Sequence, residues 1–340
     1  MIQSVCVVRL SALGDVLMLV PLIRTLQAHF QNIKISWVIS RPAYDLVAGM
    51  NGVEFIVIDK PKRPGDYWRF KKNLQGRKFD VLLAAQASFR ANLLYPLIKA
   101  KRKIGYDKLR AKDGHGWFVR ERISFGHEHT LEGFLKFAEP LGIKHKMVRW
   151  DLPISAVDKQ WARQYLSEYK KILIVNPAAS KPERCWPVER YIEVIRRAQQ
   201  RWKVDVILTG GPGALDKDLA AKIMQEVKVR SLVGQTKPKQ LLALISQADA
   251  VLCPDTGPSH MAAAVGTPVV ALHAVTSSEV SGPYTFLHLT VDCYPQAVEQ
   301  ILGTTLEKNM WGTHAHGAET MKLVQIDAVM EKLGQIFDEK

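Results

Sequence analysis

Apolar residues in the first part of the chain fall into short unbroken runs separated by longer mixed stretches. Val5–Leu10 is a β-branched apolar run. A run of that length without alternation predicts a strand covered on both faces. Ser11-Ala-Leu-Gly-Asp15 predicts a tight loop, and Val16–Phe30 predicts an amphipathic helix. Lys34–Ile39, Phe55–Ile58 and Val81–Ala85 predict further strands, with a helix near Ala43–Gly49. Strands alternating with helices predict a parallel, doubly wound sheet. Two basic stretches interrupt the series, Lys60–Lys78 and Lys99–Arg122. Their Gly, Pro, Lys and Arg content predicts loops with short helices.

The rhythm then restarts. Lys171–Val175 predicts a strand, Asn176–Pro187 a loop and Tyr191–Arg201 a helix. Val204–Thr209 predicts a strand that runs into Gly210-Gly-Pro-Gly213, with a helix from Ala214. Ser231–Val233, Ala250–Cys253 and Pro268–Leu272 predict the remaining strands, the last closing the series. Pro238–Ser246 and the segment ending at Val265 predict helices between them. The boundary falls in Ser155–Tyr169, which divides the chain into residues 1–160 and 161–322. A last helix, about Leu323–Phe337 in the segment 323–340, has no strand after it and could pack back on the first domain.

Length and composition agree with this division. A chain of 340 residues with 47% hydrophobic and 24% charged residues suits two α/β domains rather than a disordered chain. Four scattered cysteines, Cys6, Cys185, Cys253 and Cys293, show no zinc spacing and suit a reducing compartment. Val5–Leu10 contains Arg9 and follows no basic region, so it does not read as a signal peptide. Val16–Ile23 is too short to span a bilayer, and the expected location is the cytoplasm.

Charge changes the picture more. The net charge is +14. Residues 1–165 hold 28 Lys and Arg against 14 Asp and Glu, whereas residues 166–340 hold 19 against 19. The whole excess lies in the first half, which implies an acidic partner there: nucleic acid, an anionic lipid head group or a phosphorylated sugar.

In open α/β sheets ligands bind beyond the carboxyl ends of the strands, so the loops after the strands are the candidates. In the first, Asp15 opens a helix after Gly14. It suits a general base, and equally a first-turn carboxylate that stabilises the helix start. In the second, Pro254-Asp-Thr-Gly-Pro-Ser-His260 combines a helix start with the hydroxyls of Thr256 and Ser259. That combination suits an anion site to which His260 adds a donor. In the third, Lys181 and Arg184 could neutralise a diphosphate leaving group. The fourth, Gly211-Pro-Gly213-Ala-Leu-Asp216, has Asp where a dinucleotide fingerprint needs its third Gly, which argues against a NAD enzyme. Asp216 could instead bond ribose hydroxyls. Asp216-Lys-Asp218 spells a metal–diphosphate signature, but in an early helical turn it reads as a surface pair. His127-Glu-His129 and His314-Ala-His316 lack a third ligand in view, so no metal is expected. Dispersed Trp residues and the absence of GxxxxGK[ST] exclude a single-strand platform and a Walker loop.

These residues resemble a known family. Arg9-Leu-Ser-Ala-Leu-Gly-Asp15-Val-Leu with Pro21 is similar to the opening motif of the ADP-heptose:lipopolysaccharide heptosyltransferases, glycosyltransferase family nine. Asp255-Thr-Gly-Pro-Ser-His260-Met-Ala-Ala-Ala and Gly266-Thr-Pro-Val-Val-Ala-Leu resemble its donor-domain motif. Asn176-Pro-Ala-Ala-Ser through Trp186-Pro, and Ser278-Glu through Gly282-Pro-Tyr284, resemble further segments. The resemblance implies a GT-B fold, two Rossmann-like doubly wound domains facing across a cleft. It implies inverting, metal-independent transfer of L-glycero-D-manno-heptose from ADP-heptose to a lipopolysaccharide inner core, either Kdo-lipid A or a first heptose. No cofactor and no nucleic acid are implied. The family's base falls on Asp15. Donor contacts fall on Ser180, Lys181, Arg184, Asp216, Thr236, Asp255, Thr256, Gly257 and His260. Acceptor contacts fall on Gln86, Arg90 and Arg120, joined by Ser11, Gly14, Lys62 and Arg63. Ala179 replaces a hydroxyl found in some relatives, and Pro258 replaces a bulky apolar residue. The basic first half suits a multiply anionic acceptor and peripheral contact with the cytoplasmic face of the inner membrane. Two alternatives remain: a transferase of this fold for another sugar or acceptor, and a non-catalytic cleft that binds an anionic lipid or nucleotide.

Overall fold

The computed structural model describes residues 2–167 and 170–338, so Tyr169, at the end of the expected boundary segment, lies outside the described residues. The chain divides into two compact units, Met1–Pro153 and Ile154–Lys340. In the first, six strands make one sheet: β1 (Ser4–Val8), β2 (Lys34–Ser40), β3 (Val53–Ile58), β4 (Phe79–Leu83), β5 (Ala100–Gly105) and β6 (Glu121–Arg122). Their order is β3-β2-β1-β4-β5-β6, and every pairing is parallel. The unbroken apolar run of β1 has the expected cause: Val5, Cys6, Val7 and Val8 are all fully buried.

The helix that follows β1, Leu13–His29, contains Pro21. Proline has no N–H to donate back, so the Leu17 carbonyl loses its helical partner. The Trp150 indole Nε1 donates to that carbonyl at 2.9 Å. Arg24 donates from the same helix to the carbonyls of Trp150 and Asp151. The last strand-like segment of the first unit is thereby laced along its first helix. Trp150→Phe is expected to keep an aromatic ring but lose part of its volume and orphan the Leu17 carbonyl, lowering stability by about 1–3 kcal/mol or more. A urea midpoint equal to that of the parent would contradict this account.

The stretch Lys99–Arg122, expected as loop with short helices, instead contains β5 and β6. Its charges hid the strands, because each lysine or arginine of β5 has a local partner: Lys101 with Asp80 (2.8 Å), Arg102 with Glu121 (2.5 Å), and Lys103 with the Tyr95 carbonyl (2.7 Å). Lys60–Lys78 does hold a helix, Pro64–Asn73.

The second unit repeats the design with β7 (Ile172–Val175), β8 (Asp205–Leu208), β9 (Arg230–Ser231), β10 (Ala250–Pro254), β11 (Val269–His273) and β12 (Val291–Asp292). Their order is β12-β11-β10-β7-β8-β9, again parallel. Counted from its own first strand this is the order of the first sheet. Each sheet therefore reverses direction between its first and fourth strands, at β1/β4 and β7/β10, which is where a doubly wound sheet opens a crevice for ligand. The series does not close at Leu272: β12 and the helix Tyr294–Leu302 follow.

The expected boundary segment holds a helix, Ala156–Arg163, tied to the second unit through Gln247, which bonds Arg163 and the Lys159 carbonyl. The last helix, Ile326–Phe337, packs within the second unit. Val329, Leu333, Ile336 and Phe337 are buried in the same core cluster as Leu173, Tyr191 and Ile195. Arg197 and Arg201 of the helix Val188–Trp202 pair with Asp327 and Asp338. Its amphipathic pattern required an apolar partner, and the nearer sheet supplies one. Among the described residues no helix is long and apolar enough to cross a membrane.

Candidate active site

At the first switch point the loop after β1 carries Arg9 and Asp15. Asp15 lies in the first helical turn, where its Oδ2 accepts the Ala12 N–H at 3.0 Å and pairs with Arg9 Nη2 at 2.5 Å. The structural role of a first-turn carboxylate is therefore real. Yet the hydrogen bond and the closest approach of Arg9 both fall on Oδ2, and among the described residues no hydrogen bond reaches Oδ1. The side chain keeps 29% of its exposure. Arg9 is held in turn by the Ala85 carbonyl after β4 (2.9 Å) and stacks its guanidinium 5.2 Å from the centre of the Phe134 ring. Burial works against the Arg9 charge, but Asp15 and Tyr106 outweigh it and raise its pKa. The pair is a fixed cation aiming a half-committed carboxylate.

Gln86, also after β4, accepts the Leu10 N–H at 2.8 Å and donates to Ser88 Oγ. Around it lies a recess of about 280 Å³ lined by Leu10, Ser11, Lys60, Gln86, Ser88, Phe89 and Arg90. Three expected acceptor residues, Ser11, Gln86 and Arg90, thus meet at one place. The short helix Phe89–Asn92 that carries Arg90 is anchored from below. Asn92 donates to the Lys112 and Asp113 carbonyls and meets His115 Nδ1 at 2.9 Å. His115 Nε2 accepts the Tyr106 N–H, and burial with the nearby Arg122 charge lowers its pKa to about 4. Gly14 is buried in the first helical turn. Lys62, Arg63 and Arg120 do not line the recess. Their side chains are exposed, and the N–H groups of Lys62 and Arg63 cap the next helix through Asp66.

At the second switch point, Asp255 follows β10 and Arg184 follows β7. Arg184 Nη2 bonds both the Asp255 carboxylate (2.8 Å) and its carbonyl (2.7 Å). The same Oδ2 accepts Thr276 Oγ1 at 2.7 Å and Ser281 Oγ at 3.2 Å, while Oδ1 faces His260 Nε2 at 3.9 Å. Burial pushes the Asp255 carboxyl up. The charges of His273, His260 and Arg184 and the Thr276 hydroxyl outweigh it and hold the carboxyl below its ordinary range. Asp255 is therefore chiefly a buried hub that fixes Arg184. Thr256 and Gly257 start the helix Gly257–Val265, with Pro258 in its first turn. Ser259 corrects the expected anion site: it is fully buried and its hydroxyl donates inward to the Thr256 carbonyl at 2.7 Å, while Thr256 Oγ1 donates to the Pro254 carbonyl.

Ser180 Oγ accepts from Arg184 at 3.4 Å, and Lys181, mostly exposed, lies 3.7 Å from Glu183. Ala179 is buried, its N–H donated to the Cys185 sulfur. Asp216 folds over the glycine loop and accepts the Gly211 N–H at 2.7 Å, a bond that occupies Oδ1. Asp218 pairs with Lys222, as a surface carboxylate does. Thr236 lies half-buried in the loop before the helix Pro238–Ile245. Among the described residues no group of three or more His, Cys, Asp or Glu is placed to hold a metal ion. Thr276 and Ser281 escaped the sequence reading, although Thr276 follows β11 and the strand-end rule reaches it. Lys60, Ser88 and Phe89 escaped because they sit beside Gln86 only in space.

Two Rossmann-type sheets of one strand order, each with charged side chains at its switch point, are the architecture of the GT-B class. The family model for glycosyltransferase family 9 (heptosyltransferase) matches residues 67–300. The lipopolysaccharide core heptosyltransferase OpsX of Haemophilus influenzae is 33% identical over 338 residues, covering 98% of this chain and 97% of that protein. Among solved structures, Escherichia coli ADP-heptose LPS heptosyltransferase II superposes with a TM-score of 0.77 at 20% identity, covering 99% of each chain. E. coli heptosyltransferase WaaC with ADP gives 0.75 at 18%, covering 98% of this chain and 99% of that one. The chain belongs to glycosyltransferase family 9, the heptosyltransferases, and is an enzyme of that class.

Proposed function

We propose that this enzyme moves L-glycero-D-manno-heptose from ADP-heptose to the inner core of a lipopolysaccharide precursor, in one inverting displacement without a metal. The observation that carries this reading is Asp15, held by Arg9 at the switch point of the first sheet, with an Oδ1 that accepts no hydrogen bond among the described residues. A carboxylate so fixed can take the proton of an acceptor hydroxyl as that oxygen attacks the anomeric carbon. The bond from that carbon to the ADP oxygen breaks, and positive charge builds on the sugar ring meanwhile. Arg184, Lys181 and the helix start at Thr256–His260 would receive the leaving diphosphate, with Ser180, Asp216, Thr236 and Asp255 completing the donor side. Ser11, Gly14, Gln86 and Arg90, with Lys62, Arg63 and Arg120 further out, would hold the acceptor.

Contact with an anionic membrane surface at the cytoplasmic face of the inner membrane is supported by a second feature. Trp68, Phe89, Leu109 and Trp117 are all more than 60% exposed and stand among the exposed Lys62, Arg63 and Arg90. Two contacts link these segments: Tyr67 Oη with the Arg90 carbonyl, and the Phe89 N–H with Asp113. Basic residues with exposed Trp suit a lipid interface.

The test is transfer from ADP-heptose to Kdo-lipid A and, separately, to its heptosylated product, each with and without EDTA. Transfer to one acceptor that survives the chelator is the expected result. Failure with both acceptors would overturn the assignment, and loss with EDTA would overturn the metal-independent step.

A further inference from the structure

The irregular segment after the helix Tyr294–Leu302 is firmly attached to the second unit. The Thr313 carbonyl accepts Tyr294 Oη at 2.6 Å. The Ala315 N–H donates to the Val275 carbonyl at 2.9 Å, and the Ala315 carbonyl accepts Thr320 Oγ1 at 3.0 Å. Ala315 is fully buried. On either side of it His314 and His316 are exposed. Their ring centres lie 5.4 Å apart. Val275, which receives the segment, precedes Thr276, the residue that bonds Asp255. The histidines thereby stand beside the loop after β7, where His316 Nδ1 lies 3.4 Å from Glu183 Oε1 and Glu183 in turn faces Lys181.

We propose that His314 and His316 form a further wall of the diphosphate site, donating ring N–H groups to the phosphates of a bound nucleoside diphosphate. This rests on the donor-side reading above and adds two residues to it. Lys181 and Arg184 stand at this edge with the carboxylates Glu183 and Asp255. Partial burial, followed by the charges of Arg184 and His316 and then Lys181, pushes the His314 pKa down, with Asp255 opposing. These surroundings disfavour a proton on His314, and the negative charge of a bound diphosphate would favour one. Donor binding then takes up a proton from solvent, and affinity falls as pH rises.

Calorimetric titration of the full chain with ADP, in two buffers of different ionisation enthalpy, reads this directly. Proton uptake is expected in the parent between about pH 6 and 7. His314→Gln should abolish most of the uptake and weaken ADP about tenfold, and His316→Gln should weaken ADP by a similar factor. Proton NMR of the histidine rings should show His314 moving towards the imidazolium position when ADP is added to the parent protein. Variants that bind ADP as the parent does, with the same uptake, overturn the inference and leave the donor site standing. A parent chain that binds no ADP overturns the donor site and this inference together.

Discussion

Asp15→Asn is expected to lower kcat by at least about a thousandfold while leaving the affinity for ADP unchanged. Asparagine keeps an oxygen for the Ala12 N–H, so the helix start is preserved. What it loses is the capacity to take a proton at Oδ1, the atom that accepts no hydrogen bond among the described residues. Arg9 also loses its countercharge, and its Nε is already buried with no partner. A modest fall in stability should accompany the loss of turnover, and Arg9→Lys should show a similar fall with far more residual transfer. In the proposed mechanism Arg9 is a positioning residue, whereas Asp15 meets the acceptor. Transfer by Asp15→Asn near the parent rate would remove the base from the mechanism. Equal losses for Asp15→Asn and Arg9→Lys would make the pair a structural clamp.

The legible parts of this molecule were those written in a continuous run of residues. β1 shows as an unbroken apolar stretch because both faces of the sheet are covered, and the loops beyond β1, β7 and β10 follow directly from strand ends. The opening loop could be read in two ways, as a cap or as a base, and the structure makes Asp15 do the first with Oδ2 while Oδ1 stays available for the second. The strand β5 was hidden by two lysines and an arginine whose partners, Asp80, Tyr95 and Glu121, lie outside the strand. The last helix presented an apolar face without naming its partner. The packing of Asp255 was hidden for a related reason. Its loop reads as an anion cradle, but the three groups that occupy its carboxylate, from Arg184, Thr276 and Ser281, come from loops after two other strands and from the short helix beyond. The pairing of His314 and His316 was visible, and its meaning was not, because a pair at alternate positions says nothing about which loop it will face.

Arg184→Ala should be the most damaging change on the nucleotide side, because Arg184 serves two purposes. As the cation closest to the helix start it would meet the leaving diphosphate, and removing such a donor costs about a hundred- to thousandfold in kcat/KM. As the partner of Asp255 it keeps a buried carboxylate satisfied, so its loss should also cost about 3 kcal/mol of stability. The two effects separate with pH. The Asp255 carboxyl is held below its ordinary range, so the stability it contributes is present above the unfolded-state pKa and is lost as pH falls through the folded one. Without Arg184 one of the groups holding the carboxyl down is gone and the folded-state pKa rises. Acid unfolding of Arg184→Ala should therefore begin at a higher pH than in the parent, while Asp255→Asn should flatten that limb. Arg184→Lys restores a point charge but not both bonds of the guanidinium. It should recover ADP affinity more fully than acid stability. An Arg184→Ala protein with the parent's acid limb would show that the hydroxyls of Thr276 and Ser281 suffice for Asp255, and would confine Arg184 to the phosphates.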